Sequence, residues 1–193
     1  MTMRATGMVA ALAIATVLAG GSGPVSASAD VGTKVLLGAG KVTKFRWTAR
    51  AFRKKGSDSA TRPCLEIDLK PLPPSPPDPL EIPVGDVSCR PFRPTPAVLG
   101  VADEIDKPRV EAFVFAFPRR VQKLALEFRG QLKDRVIKLP LLSAEKAKKA
   151  GLEPFRYGSF ALSGKSCLTR FIALSASGTV IEDGGKMGCS TGH

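Results

Sequence analysis

Residues 110–117, with the sequence VEAFVFAF, decide the fold of this chain. Successive side chains of an extended strand point to opposite faces, so the three phenylalanines share one face. The two alanines and the valine between them share the other face. A strand that is apolar on both faces is predicted to be buried on both. Pro118 ends the strand, because proline cannot donate to a sheet ladder.

Two half-buried strands are predicted after it, over residues 121–128 and 135–141. The residues that share an apolar face are Leu124, Leu126 and Phe128 in the first run and Ile137, Leu139 and Leu141 in the second. The turn-like segment Arg129-Gly130-Gln131 lies between the runs. This arrangement predicts a β-hairpin.

The N-terminal part of the chain predicts three more strands. A short strand over Lys34 to Leu37 is followed by a turn at Gly38-Ala39-Gly40 and a long strand over Val42 to Arg53. Alternating apolar and charged residues then predict a strand over Cys64 to Lys70. The connection between the last two strands, Lys54 to Pro63, is predicted to be a basic, polar loop.

The two longer strands are predicted to form one hairpin. Trp47 and Ile67 are predicted to share its buried face. Because side chains alternate with period two, any register that does so places Arg46 and Arg50 with Glu66 and Asp68 on the outer face. The charges of the outer face therefore match across the two strands.

The C-terminal part predicts one short helix and more strands. Ser143 is a suitable N-cap for a helix over Ala144 to Ala150, and Gly151 is a suitable stop. The extended runs that follow are Phe155 to Leu162, Cys167 to Leu174 and Thr179 to Glu182. The predicted fold is mainly β: an antiparallel β-sandwich or small barrel with one short helix, in a single domain over residues 30–193.

Residues 1–29 have the pattern of a signal peptide. Arg4 forms a short basic region, Met8 to Ala19 is apolar, and Ala27-Ser28-Ala29 is a small-residue cleavage site. The apolar run is shorter than the ~20 residues that a membrane span needs. We therefore expect a mature chain that starts at Asp30, has no transmembrane segment, and is secreted or associated with the cell wall.

The four cysteines of an exported chain predict two disulfides. Three connectivities are open from sequence. The spacing favours the local pairs Cys64 with Cys89 and Cys167 with Cys189. A C-x-x-C motif is absent, so redox and zinc-knuckle interpretations have no support.

The mature chain is strongly basic, since 28 Lys and Arg against 17 Asp and Glu give a formal charge of +11. Such a charge favours anionic partners, although a basic surface with no dedicated ligand is the alternative. Surplus charge is predicted on the outer face of the long strand and in the loop that follows it. The predicted anion-binding patch is Lys44, Arg46, Arg50, Arg53, Lys54 and Lys55.

The residues for most kinds of catalysis are missing from the sequence. His193, at the end of the chain, is the single histidine, so triads and histidine-based zinc sites lack a well-held imidazole. Nucleotide-binding glycine motifs are absent too. Glu66 with Asp68 could serve as a carboxylate pair, and the acidic cluster at 103–106 lacks the pattern of a calcium loop. We therefore predict a protein that is not an enzyme and has no cofactor or metal.

Two functions of different classes follow. The first is an exported, non-catalytic binding or structural protein of the cell envelope that meets an anionic polymer through its basic surface. The second is a secreted, protease-type inhibitor that presents a rigid loop to a protein partner. Residues 71–79, with six prolines in nine positions, would form such a loop. A glycan hydrolase that uses two carboxylates is a remote third, and nucleic acid is disfavoured as a partner because Phe45 and Trp47 lie on the apolar side.

The order of these features resembles a loosely defined group of small exported proteins. The features are Phe45-Arg46-Trp47, Cys64-Leu65-Glu66, Cys89, the Val-Phe-Ala-Phe strand, Ile137-Lys138-Leu139-Pro140, Phe155 to Gly158 and Ala176 to Thr179. The group comprises two-disulfide, all-β proteins and extracytoplasmic domains of high-GC Gram-positive bacteria with no assigned function. The resemblance implies the same all-β fold and no catalytic residues. The Pro-rich insertion and the high basicity depart from its pattern.

Overall fold

The structure is a computed structural model that describes residues 31–56, 58–72, 84–92, 97–103, 110–164 and 166–187. Its elements are β1 (Val35–Val42), β2 (Phe45–Lys55), β3 (Thr61–Pro71), β4 (Val84–Cys89), β5 (Ala97–Asp103), β6 (Val110–Phe117), β7 (Lys123–Arg129), β8 (Arg135–Lys138), α1 (Ala144–Lys149), β9 (Arg156–Ser163), β10 (Cys167–Leu174) and β11 (Val180–Lys186). The predicted class is confirmed: the chain is mainly β, with antiparallel sheets and one short helix among the described residues.

The strands form three sheets. Sheet 1 has the order β1-β2-β3-β4, sheet 2 the order β5-β6-β9, and sheet 3 the order β11-β10-β7-β8. One apolar core lies between sheets 1 and 2 and a second lies between sheets 2 and 3. The three sheets therefore stack face to face, and β6 is the middle strand of the middle sheet.

The prediction for β6 is confirmed, because all eight of its residues are buried. Ala112, Val114 and Ala116 face the core shared with sheet 1. The three phenylalanines face sheet 3, where Phe115 meets the ring of Phe171 edge-on at 5.4 Å. Burial on both faces explains why the strand has almost no polar side chains.

The turn predicted at Gly38-Ala39-Gly40 is wrong. These residues lie inside β1, and the turn to β2 is Thr43-Lys44, where Thr43 has a positive φ of 49°. Glycine is needed at Gly40 for space: a Cβ there would lie 2.8 Å from the indole nitrogen of Trp47. Gly38 likewise has no room for a side chain, because a Cβ there would meet the side chain of Ser159.

The β2–β3 hairpin is longer than predicted. β2 continues through Lys55 and β3 begins at Thr61, so Lys54 and Lys55 belong to a strand and not to the predicted loop. The predicted division of side chains between the two faces is confirmed, and the register places Trp47 opposite Leu69 and Arg50 opposite Glu66. The described residues between the two strands are 56 and 58–60.

The predicted β7–β8 hairpin is confirmed, but the prediction that Leu141 faces inward is wrong. Leu139 is buried, whereas Leu141 is 45% exposed and Leu142 is buried in its place. β8 ends at Lys138, and Pro140 has no N–H to continue the ladder, so the alternation breaks before Leu141.

The predicted helix is confirmed as α1. The Ser143 hydroxyl accepts from the backbone N–H of Lys146 at 3.3 Å, and Gly151 follows the helix with a φ of +67°. Its one buried residue is Ala147, so its three lysines face solvent. Among the described residues, no helix is long and apolar enough to cross a membrane.

The disulfide between Cys64 and Cys89 is confirmed, and the two residues lie directly opposite on β3 and β4. Cys167 is also disulfide-bonded, but its predicted partner Cys189 lies outside the described residues. The predicted signal peptide (1–29) and most of the Pro-rich segment (71–79) lie outside them as well.

Candidate anion-binding site

The outer face of sheet 1 carries the charged side chains that were predicted on the outer face of the β2–β3 hairpin. The register aligns them in rows that run across the strands. One row crosses Arg50 and Glu66, the next crosses Thr48 and Asp68, and a third crosses Lys41, Arg46 and Lys70. These three rows differ sharply in how their charges are balanced.

The row at Arg50 is neutralised by ion pairs. The Arg50 guanidinium lies 2.9 Å from a carboxylate oxygen of Glu66 and 2.5 Å from one of Asp68. Lys34 makes a second ion pair with Glu66, and the Thr48 hydroxyl donates to Asp68 at 3.4 Å. The two acids of this face are therefore already committed to cations within the protein.

The protonation of Arg50 reflects the same network. Partial burial acts to lower the pKa of its guanidinium, but hydrogen bonds to Asp68 and Glu66 outweigh the burial, and the pKa is raised. Arg50 is thus a permanently charged bridge between two carboxylates. Arg50 links β2 to β3 through these ion pairs, and the two carboxylates neutralise its charge, so it is a poor site for an external anion.

The third row, which we call the basic row, is not neutralised. Lys41, Arg46 and Lys70 lie directly opposite one another on β1, β2 and β3, and all three are exposed. Within the part of the chain that the structure describes, none of them makes an ion pair or hydrogen bond with a side chain. Like charges directly opposite on neighbouring strands are destabilising, so this arrangement costs the fold some stability.

A fourth cation lies next to the basic row. Lys44 is in the β1–β2 turn, with its ammonium 5.9 Å from the centre of the Phe45 ring. Positive charge therefore lies at the end of sheet 1 where β1 turns into β2, and the opposite end of the sheet carries Arg53, Lys54 and Lys55.

The structure does not bring the residues of the predicted anion-binding patch together at one place. Arg46 lies in the basic row with Lys44 beside it, whereas Arg50 is committed to its ion pairs. Lys54 is on the outer face but at the far end, opposite Arg62, which pairs with Asp58. Arg53 and Lys55 have the opposite parity and point away from this face.

Two members of the basic row, Lys41 and Lys70, were missed by the sequence analysis. Lys41 was assigned to the connection after a predicted glycine turn, and Lys70 was the end of a predicted strand. Their alignment with Arg46 follows from the register that the true turn at Thr43-Lys44 imposes. The sequence signal that could have found them is the alternation of inward and outward side chains, which puts Lys41 and Lys70 on the outer face if it is continued to the ends of their strands.

The other candidate chemistry finds no site among the described residues. No group of three His, Cys, Asp or Glu side chains there is placed to hold a metal ion. Glu66 and Asp68, the predicted carboxylate pair, are joined by Arg50. Most of the acidic cluster at 103–106 lies outside the described ranges.

Comparison with protein-family models, with curated proteins and with solved structures found no match.

Proposed function

We propose that this chain is an exported, non-catalytic binding or structural protein of the cell envelope that associates with an anionic polymer. The observation that supports it is the basic row. The acids on the same sheet face are paired with Arg50 and Lys34, while Lys41, Arg46 and Lys70 have no acidic partner among the described residues. A cluster that costs stability and lacks partners is a natural place for an anionic ligand.

The geometry favours a polymer over a compact anion. Neighbouring strands lie about 4.8 Å apart, so the three residues extend over roughly 10 Å across the sheet. Each exposed contact contributes up to about 1 kcal/mol. Affinity would therefore come from several weak contacts along a chain of phosphates or carboxylates.

Export is part of the proposal. The leader pattern at 1–29 predicts secretion, and disulfides such as Cys64–Cys89 persist in oxidising compartments. With a formal charge of +11 on the mature chain, attraction to anionic wall polymers would also act at long range at low salt.

The test compares two triple variants that lose the same charge. The first replaces the basic row: Lys41→Gln, Arg46→Gln and Lys70→Gln. The control replaces the three exposed lysines of α1: Lys146→Gln, Lys148→Gln and Lys149→Gln. Retention on isolated cell walls is measured across a salt titration for both variants and the wild type.

We expect the basic-row variant to bind up to about 100-fold more weakly at low salt, and the control to resemble the wild type. The difference should shrink as salt screens the contacts, since the Debye length is about 10 Å at 0.1 M and about 3 Å at 1 M. Equal retention of both triple variants would refute a localised site. Binding that survives high salt but is lost on proteolysis near Pro77 would favour the inhibitor function instead.

A further inference from the structure

A cleft of about 450 Å³ opens at the disulfide end of the core between sheets 1 and 2. Such a volume lies in the range of small-molecule sites. Its walls come from the end of β2, the start of β3, the segment after β4 and the connection from α1 to β9. We call it the proline cleft; it is lined by Arg53, Pro63, Pro91, Phe92, Gly151, Leu152, Glu153, Pro154 and Phe155.

Arg53 is the unusual residue of this cleft. Its parity in β2 is that of Trp47 and Ala51, which point into the core, and it lies opposite Pro63 at the edge of that core. Arg53 itself is exposed, so the inward-facing side of β2 ends in a solvent-accessible cation at the edge of the core. The backbone is held in place, since the Arg53 carbonyl accepts from the N–H of Val31 at 2.7 Å.

The guanidinium of Arg53 is only partly engaged. One of its nitrogens donates to the carbonyl of Gly151 at 3.2 Å. Among the described residues this is the single hydrogen bond of the side chain, so further donors of the planar group are left for a ligand. The bond to Gly151 orients the group, which reduces the entropy lost on binding.

The rest of the cleft offers few donors. Its three prolines have no N–H, and the N–H groups of Gly151 and Leu152 bond to the carbonyls of Lys148 and Ala147. The floor is apolar, formed by the buried rings of Phe92 and Phe155, which meet edge-on at 5.0 Å. The described walls therefore combine an apolar floor with the guanidinium of Arg53 and the carboxylate of Glu153.

We infer that the proline cleft binds an apolar group that carries a single carboxylate, with the carboxylate on Arg53 and the apolar part against the prolines. Arginine suits this role, because its fork matches the two oxygens of a carboxylate. Glu153 also lines the cleft and has an interaction of its own. The carboxylate could belong to a free acid or to the C-terminal residue of a peptide.

The inference is independent of the basic row, which lies on the opposite face of sheet 1. The probes are 3-phenylpropionate, its uncharged analogue 3-phenylpropionamide, and a tripeptide ending in phenylalanine with a free or an amidated carboxyl. Binding to the folded mature protein is measured by NMR chemical-shift titration, and the amide signals of Arg53, Gly151 and Glu153 locate the site. The variants are Arg53→Gln and, as a matched control on the same hairpin, Arg62→Gln.

We expect the acid to bind at least about tenfold more tightly than the amide, because a charge-assisted hydrogen bond is lost in the amide. Arg53→Gln should abolish this preference, and Arg62→Gln should leave it intact. The free-carboxyl peptide should bind if a C-terminus is the natural ligand. Binding of the free acid without binding of the peptide would show that the natural ligand is a small molecule.

Equal affinity for acid and amide in the wild type would overturn the inference, and so would an acid preference that survives in Arg53→Gln. Absence of any shift at roughly 10 mM probe, above the millimolar Kd of a minimal fragment, would overturn it as well. The acid–amide comparison uses only the wild-type protein, so it decides the question even if Arg53→Gln fails to fold.

Discussion

Replacing Gly40 by alanine tests whether the Gly38-Ala39-Gly40 segment is a strand packed on Trp47. The backbone of Gly40 is not among those with positive φ, so alanine can adopt its conformation. The obstacle is steric: the new methyl group would lie 2.8 Å from Nε1 and 3.1 Å from Cε2 of Trp47. Trp47 is 9% exposed and belongs to the core between sheets 1 and 2, so its ring cannot simply swing into solvent.

The size of the effect follows from two opposing contributions. Gly→Ala at a compatible backbone stabilises by about 0.4–1 kcal/mol, because the unfolded chain loses freedom. Overpacking a well-packed core costs about 1–3 kcal/mol. We expect a net loss of about 1–2 kcal/mol in the free energy of unfolding from these two figures. For a chain of this size that corresponds to a Tm lower by roughly 2–8 °C.

Denaturant unfolding followed by fluorescence measures this loss directly, because Trp47 is the single tryptophan. The control is a double-mutant cycle with Trp47→Leu, followed by circular dichroism. Gly40→Ala should cost much less in the Trp47→Leu background, since the clashing atoms are gone. If Gly40→Ala were neutral or stabilising in the wild type, or cost the same in both backgrounds, the packing of β1 against Trp47 would be refuted.

Three further outcomes are expected. Replacing Cys64 and Cys89 together by alanine should lower the free energy of unfolding by about 3 kcal/mol, measured by denaturant titration, and an unchanged midpoint would contradict this. The hydrogen bond from Arg170 lowers the pKa of Asp183 to about 2, so the contribution of this pair to stability is complete above the ordinary value of 3.8 and is lost as the pH falls towards 2. In Arg170→Gln, an NMR titration should find the pKa of Asp183 closer to 3.8; an unchanged value would show that the pairing is absent in solution. N-terminal sequencing of exported protein should begin at Asp30, and an intact leader would contradict the signal-peptide prediction.

Several features followed from the sequence alone because they depend on the local period of the chain. Both faces of VEAFVFAF are apolar, so β6 is buried on both sides wherever it pairs. The alternation around Trp47 and Ile67 likewise determined which side chains of the β2–β3 hairpin face out, and hence the ion pairs of Arg50. The short spacing of Cys64 and Cys89 was enough to favour their disulfide.

Other features depend on residues that are distant in sequence, and only the tertiary structure decided them. The Gly38-Ala39-Gly40 segment reads locally as a turn, but Gly38 lies against Ser159 of β9 and Gly40 lies against the Trp47 ring. The basic row exists because the register brings cations from three strands side by side, which no single segment encodes. Arg53 was predicted as the last residue of a strand and as part of an anion-binding patch, and it lines a cleft because β2 continues past the end of the core. A local pattern determines the face of a side chain, whereas its neighbours across strands and sheets depend on register and on how the layers stack.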